Sequence, residues 1–200
     1  DLSDPANPRM LGFIELPGYS NYLHPLKDDL MLGIGYATQD IYVRDQNGRE
    51  SVIGTRQSGI KLTLFNVSDP LNPLEMDSRV LGEAYSSTEA SYNHKAFMAD
   101  SSRGMYGFPA AIHEDKAGYQ RGAVLLKITG SRFAAISFAE AAEPDYSSDM
   151  YFQRLVYIND NYYYLDSGIV YIVDIEYAHC REVYRISGGN NEAPLRVLID

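Results

Sequence analysis

Apolar residues in this chain occur in short runs that are β-branched, aromatic or alternating, and Gly, Pro, Asn or Asp bounds each one. Such runs read as strands, because side chains on a strand point alternately to two faces. Three begin at a glycine: Gly-Ile-Lys-Leu-Thr-Leu-Phe-Asn-Val at 59–67, Gly-Ala-Val-Leu-Leu-Lys-Ile at 122–128 and Gly-Ile-Val-Tyr-Ile-Val-Asp-Ile at 168–175. No segment carries a sustained helical period. Residues 86–99 come closest, but they are short and polar and read as a loop entering a strand.

A second pattern is a pair of strands around a tight turn. Tyr22-Leu23-His24 leads across Lys27-Asp28-Asp29 to 30–33, and Tyr92-Asn93-His94 leads across 100–104 to 105–108. The third copy runs from Tyr151-Phe152-Gln153 across Asn159-Asp160-Asn161 to 162–165. Asp, Asn, Ser and Gly between apolar runs are hairpin signals. Ser-Asp-Pro-Ala-Asn-Pro at 3–8 returns as Ser-Asp-Pro-Leu-Asn-Pro at 68–73, each copy a turn expected to feed a strand, at 10–16 and 74–81 respectively. Here Asp caps backbone amides and each Pro fixes φ and cannot donate to a ladder.

In order, each unit reads as strand, turn, strand, loop, Gly-led strand, turn and outer strand. Four antiparallel strands in a repeat of roughly 45–65 residues is a propeller-blade pattern. The expectation is therefore an all-β chain of about three four-stranded blades, an incomplete ring, with units near 1–67, 68–128 and 129–200. A sandwich is the alternative, but it would show no such self-similarity. The flanks 40–46 and 49–53 around Asn47-Gly48 predict a protruding two-stranded ear, and 112–120 and 140–149 read as polar excursions.

Composition narrows the partners. Seventeen basic against 27 acidic residues give a formal charge of −10, which repels phosphate backbones and argues against nucleic acid. No apolar run is long enough to cross a bilayer as a helix, so no membrane insertion is expected. The single cysteine, Cys180, excludes an internal disulfide and a multi-cysteine metal site.

The runs at 2–12, 16–26 and 59–70, with Tyr-Asn-His-Lys-Ala-Phe at 92–97, resemble the secreted C-terminal β-propeller domain family of bacteria and archaea. The resemblance is strongest over 1–110 and continues more loosely at Ser167-Gly168-Ile169. It implies a propeller fold and an extracellular or cell-surface location, and brings no catalytic motif.

Candidate chemistry concentrates where inner strands of a propeller would line a channel. His24 and His94 each follow a Tyr by two residues at the expected start of an inner strand, and Gln153-Arg154 stands there in the third unit. With Asn21 and Asn93 they form a candidate ligand-binding set; the competing reading is that they hydrogen-bond neighbouring blades and hold the repeat together. His113-Glu114-Asp115 and His179-Cys180 offer ligand groups, but neighbours on a strand point to opposite faces. Acidic turns at Asp28-Asp29, Asp100 and Asp160 suggest either calcium at the blade edges or recurrent turn chemistry. Residues 45–50 also resemble a calcium loop, yet a hairpin turn accounts for them.

The expected function is a non-enzymatic module that binds or scaffolds a protein, peptide or glycan partner, with no obligatory cofactor. The alternative is an enzyme or access-gating propeller that acts on extracellular polymer with a channel metal. Open terminal faces invite a homodimer that completes a ring, or a covering strand from 193–199.

Overall fold

The computed structural model describes residues 1–142 and 152–185. The expected covering strand at 193–199, Tyr151 and most of the 140–149 excursion lie outside the described residues.

The first sheet is a meander of β1 (Tyr19–Pro25), β2 (Leu30–Arg44), β3 (Glu50–Asn66) and β4 (Leu74–Leu81), each antiparallel to the next. A second meander is formed by β5 (Met98–Asp100), β6 (Met105–Glu114), β7 (Gly118–Thr129) and β8 (Arg132–Glu140). A third is built from β9 (Gln153–Ile158), β10 (Asn161–Asp166), β11 (Ile169–Asp174) and β12 (His179–Arg185). One parallel bridge, His179 to Glu140, joins β12 to β8 and makes the last two meanders one eight-stranded sheet. The described residues contain no α-helix. They separate into two compact units, one of residues 1–86 with 130–132, the other of 87–129 with the described residues from 133 onward.

Alternation sets the core of the first sheet. Leu32 pairs with Leu64, Ile34 with Leu62 and Tyr36 with Ile60, and this face is buried. The opposite face carries Met31, Thr63 and Phe65 with Gly33 and Gly35. In the second unit Leu125, Leu155, Tyr162, Tyr164, Ile169, Tyr171 and Cys180 form one apolar cluster, with Tyr164 and Tyr171 stacked at 5.6 Å. Burial of this kind contributes about 25 cal/mol per Å² of apolar surface and is the main source of stability.

The repeated turn takes the same shape twice. Asp4 accepts from Asn7 Nδ2 at 2.8 Å and Asp69 from Asn72 Nδ2 at 2.7 Å. The backbone closes alike, Asn7 N–H to Asp4 and Asn72 N–H to Asp69. In both, the aspartate hydrogen bonds hold the carboxyl below its usual range, the side-chain bond from Asn contributing most. The segments after the two turns take different conformations. Residues 74–81 pair with β3, whereas 10–16, expected as a strand, have no ladder; Gly12 instead lies against the backbone carbonyls of Pro70 and Leu71.

Three further expectations need correction. Residues 92–94 are not a strand start: two 3₁₀ turns, Glu89–Ser91 and His94–Ala96, occupy this stretch before β5. Thr88 and Asn93 cap those turns, and such short polar side chains compete with a ladder for backbone amides. The 112–120 excursion is instead a hairpin tip, with His113 opposite Tyr119 and Glu114 opposite Gly118. The ear at 39–56 is a β2–β3 ribbon as expected, but Asn47-Gly48 is not a two-residue turn. Asp45 closes a four-residue turn by accepting from Asn47 N–H at 2.8 Å and Arg49 N–H at 2.9 Å, and Gly48 alone takes positive φ, +80°. The Asp45 carboxylate is thereby committed to backbone amides.

Candidate functional site

The first unit holds a groove on the face of its sheet opposite Leu32, Ile34, Leu62 and Leu64. The segment at 14–18 runs over strands β1–β3 and encloses about 440 Å³ with Leu23, Met31, Phe65 and Val67. Lys61 spans one side, its Nζ donating to Pro17 O at 2.9 Å and lying 3.8 Å from Glu75 Oε2. Alternation explains the lining: Met31 and Phe65 are cross-strand partners, and Leu23 pairs with Gly33 on the same face. Thr63 adds a buried hydroxyl beside them.

Two of the candidate ligand residues belong to this unit. Asn21 sits at the β1 bulge and is exposed. His24 lies on the leucine side of the sheet, with Nδ1 2.9 Å from the Tyr22 hydroxyl. Burial lowers its pKa, so the neutral ring is favoured.

The other four lie in the second unit, and three of them meet. Thr88 caps the first 3₁₀ turn, accepting from Ala90 N–H at 3.1 Å while its hydroxyl donates to Pro109 O at 2.6 Å. This fixes Glu89, a buried carboxylate. Its Oε1 accepts from Asn93 Nδ2 at 2.5 Å and its Oε2 from the Gln153 backbone N–H at 2.7 Å. Arg154 Nη1 reaches Asn93 Oδ1 at 3.4 Å. His94 is exposed on the second turn and is not part of this cluster.

Gln153 extends the network inward. Its Nε2 donates to the Tyr164 hydroxyl and to Asp166 Oδ2, both at 3.0 Å. Tyr164 donates to the same carboxylate oxygen at 2.6 Å, Ser167 Oγ donates to Oδ1 at 2.9 Å, and Arg121 Nη2 lies 3.5 Å away. Burial, then the Asp166 charge, pushes the Tyr164 phenol far above its ordinary range, so it remains a donor. The oxygens of Glu89 and Asp166 thus accept from groups of the chain itself. The arrangement is a polar clasp between the 3₁₀ turn, β9 and β10.

A second clasp joins two of the acidic turns. Arg103 Nη1 donates to Asp100 Oδ2 at 2.8 Å and to Asn159 O at 3.0 Å, while Nη2 donates to Asp160. Ser102 Oγ and Tyr162 OH complete the shell of Asp100 at 2.7 and 3.2 Å. Here the positive charge between two acidic turns is a guanidinium. The His179-Cys180 pair diverges as alternation requires, with His179 exposed and Cys180 buried.

Glu89 and Asp166 escaped the sequence reading. A signal for Asp166 was present, since Tyr162, Tyr164 and Asp166 share one strand face and the acid continues an inward series. Glu89 carried no comparable signal, because its burial depends on a contact 64 residues away.

The comparisons with known proteins agree with this architecture. A family model described as Beta propeller domain matches residues 1–177. An uncharacterised protein of Archaeoglobus fulgidus is 34% identical over 137 residues, which is 68% of this chain and 19% of that protein. An uncharacterised protein of Methanocaldococcus jannaschii is 35% identical over 113 residues, 56% of this chain and 15% of that protein. The chain therefore spans less than a fifth of the length of either relative. No solved structure matches it. With its repeated antiparallel meanders and a family match over most of its length, the chain belongs to the beta propeller domain family.

Proposed function

We propose that the chain is a non-enzymatic binding and scaffolding module of an exported propeller, its three meanders serving as three blades of a larger ring. The observation that carries this reading is the groove of the first sheet. It is a recess of about 440 Å³ with a mostly apolar lining and one lysine at its side. Recesses of this size and character suit a ligand held by shape and a few polar anchors. The mostly apolar lining favours an extended apolar polypeptide segment over a glycan, whose hydroxyls would need more partners than Glu15, Tyr19, Ser20, Thr63 and Lys61 offer. The engagement of the buried carboxylates with groups of the chain itself supports a structural rather than a catalytic role for the clasp. The resemblance to a secreted family supports export. The remaining blades would come from the longer protein or from a second copy.

Selection of displayed peptides against the chain tests the groove directly. The expected outcome is an apolar consensus whose binding shifts the resonances of Leu23, Met31 and Phe65 and is lost in Phe65→Ser. Peptides that perturb other surfaces, or bind Phe65→Ser equally, would overturn this assignment. Protease accessibility on intact cells of a source organism tests export.

A further inference from the structure

Among the described residues, the β2–β3 ribbon leaves the first sheet with both edges open. β1 pairs with β2 as far as Tyr36, and β4 pairs with β3 as far as Ile60. From Thr38 to Arg44, and from Glu50 to Gln57, the described pairing is only between these two strands. Ile41, Tyr42, Val43, Val52 and Ile53 are exposed there, by between 38% and 65%. A lone two-stranded ribbon is marginal in water, and an open apolar edge is a template for another strand.

The two edges differ. Tyr42 pairs with Val52 and Ile41 with Gly54, so the extra residue, Ile53, lies on β3 and breaks its alternation. β2 is regular across the same stretch. Asp40, Tyr42 and Arg44 therefore share one face, as the 3.4 Å contact of Tyr42 OH with Asp40 Oδ2 shows, and Ile41 and Val43 share the other.

We propose that the β2 edge is a self-recognition surface, and that two copies of the chain pair antiparallel through residues 40–44 about a two-fold axis at Tyr42. In that register each Asp40 faces the partner's Arg44, Tyr42 faces the partner's Tyr42, and Ile41 faces the partner's Val43. Opposite charges thus meet at both ends, an aromatic pair meets at the centre, and aliphatic pairs meet on the reverse face. Arg44 keeps its intrachain partner Glu50, at 2.5 Å, and gains a second carboxylate. The next register towards the tip, a slip of two residues, would oppose Asp40 with the partner's Gln46 and Arg44 with the partner's Tyr42, so the charges select the register as well as favouring association. Edge charges usually prevent strand addition; here they are complementary only to a second copy. The interface is small, and its dimer dissociates on dilution.

Light scattering and sedimentation of the 200-residue chain over a concentration series test this. The expected result is reversible dimerisation, weakened at least tenfold by Asp40→Arg and recovered when Arg44→Asp and Glu50→Arg are added, which reverses every charge of the array. Tyr42→Cys is expected to form a disulfide-linked dimer under mild oxidation and Val52→Cys is not; Cys180 is buried and stays silent. Unchanged circular dichroism confirms that each variant is folded. A mass of one chain up to ~1 mM would overturn the proposal, as would a dimer indifferent to Asp40→Arg and not linked through position 42.

Discussion

The backbone N–H of Gln153 donates to Oε2 of Glu89 at 2.7 Å, so the first amide of β9 is satisfied by a side chain from a 3₁₀ turn 64 residues earlier. The other carboxylate oxygen holds Asn93, which in turn accepts from Arg154. Glu89→Ala leaves both the amide and the asparagine without this acceptor, and a buried group so orphaned costs about 1–3 kcal/mol. Urea unfolding is expected to show a loss of that size. Glu89→Gln, which retains one carbonyl acceptor, is expected to lose less.

Asp100 makes the fold acid-sensitive in a defined window. The Ser102 hydroxyl above all, then Arg103 and the Tyr162 hydroxyl, hold its carboxyl at about 2 against an ordinary value of 3.8, despite the opposing effect of burial. The native state therefore binds this proton less readily than the unfolded chain. The stabilisation is complete above pH 3.8 and is lost as pH falls from there towards 2. Thermal melts of Asp100→Asn against the parent are expected to converge over that interval, with the parent the more stable at neutral pH. A constant difference down to pH 2 would contradict this.

Cys180 is expected to be chemically silent in the native protein. Its Sγ lies 3.2 Å from Ala139 O, and burial pushes the thiol up to about 12. The thiolate is the reactive species, so its native population at about pH 8 is very small. Labelling with a thiol reagent at that pH is expected to be negligible in the folded chain and stoichiometric in urea. Rapid native labelling would show that β12 opens away from β8.

Gly35 tests the close approach of β1 to β2. A Cβ built there falls 1.9 Å from the Tyr19 carbonyl oxygen, a backbone atom that cannot move away alone. Gly35→Ala is expected to destabilise the first sheet by about 1–3 kcal/mol, as overpacking does. Gly54→Ala on the ribbon, where nothing lies within 4 Å, is the control and is expected to be near neutral. Differential scanning calorimetry separates the two.

Much of the fold was legible locally. The hairpin turn at Lys27-Asp28-Asp29 forms as read, with both aspartates at positive φ, 59° and 55°, a region that Asp tolerates better than most residues. The Gly-led runs lie on β3, β7 and β11, and the Asp-Asn turns at 3–8 and 68–73 repeat bond for bond. These features depend on neighbours a few positions away. The candidate site was legible only in part. Asn93, Gln153 and Arg154 do meet, but around a glutamate that no local pattern marks, while His94 was drawn onto a turn by the cap at Asn93.

The division has a physical cause. Period-two alternation, turn chemistry at Asp and Asn, and the 65-residue recurrence of Ser-Asp-Pro are properties of adjacent residues, so the amino-acid sequence by itself determined the all-β class, the antiparallel hairpins and the ear. Tertiary structure decided which strands found ladders, which carboxylates were buried, and where a guanidinium came between Asp100 and Asp160. It also decided that residues 14–18 would cover one face of the first sheet and leave a groove. Those outcomes depend on pairs separated by tens of residues, whose desolvation and hydrogen bonding exist only once the sheets have formed.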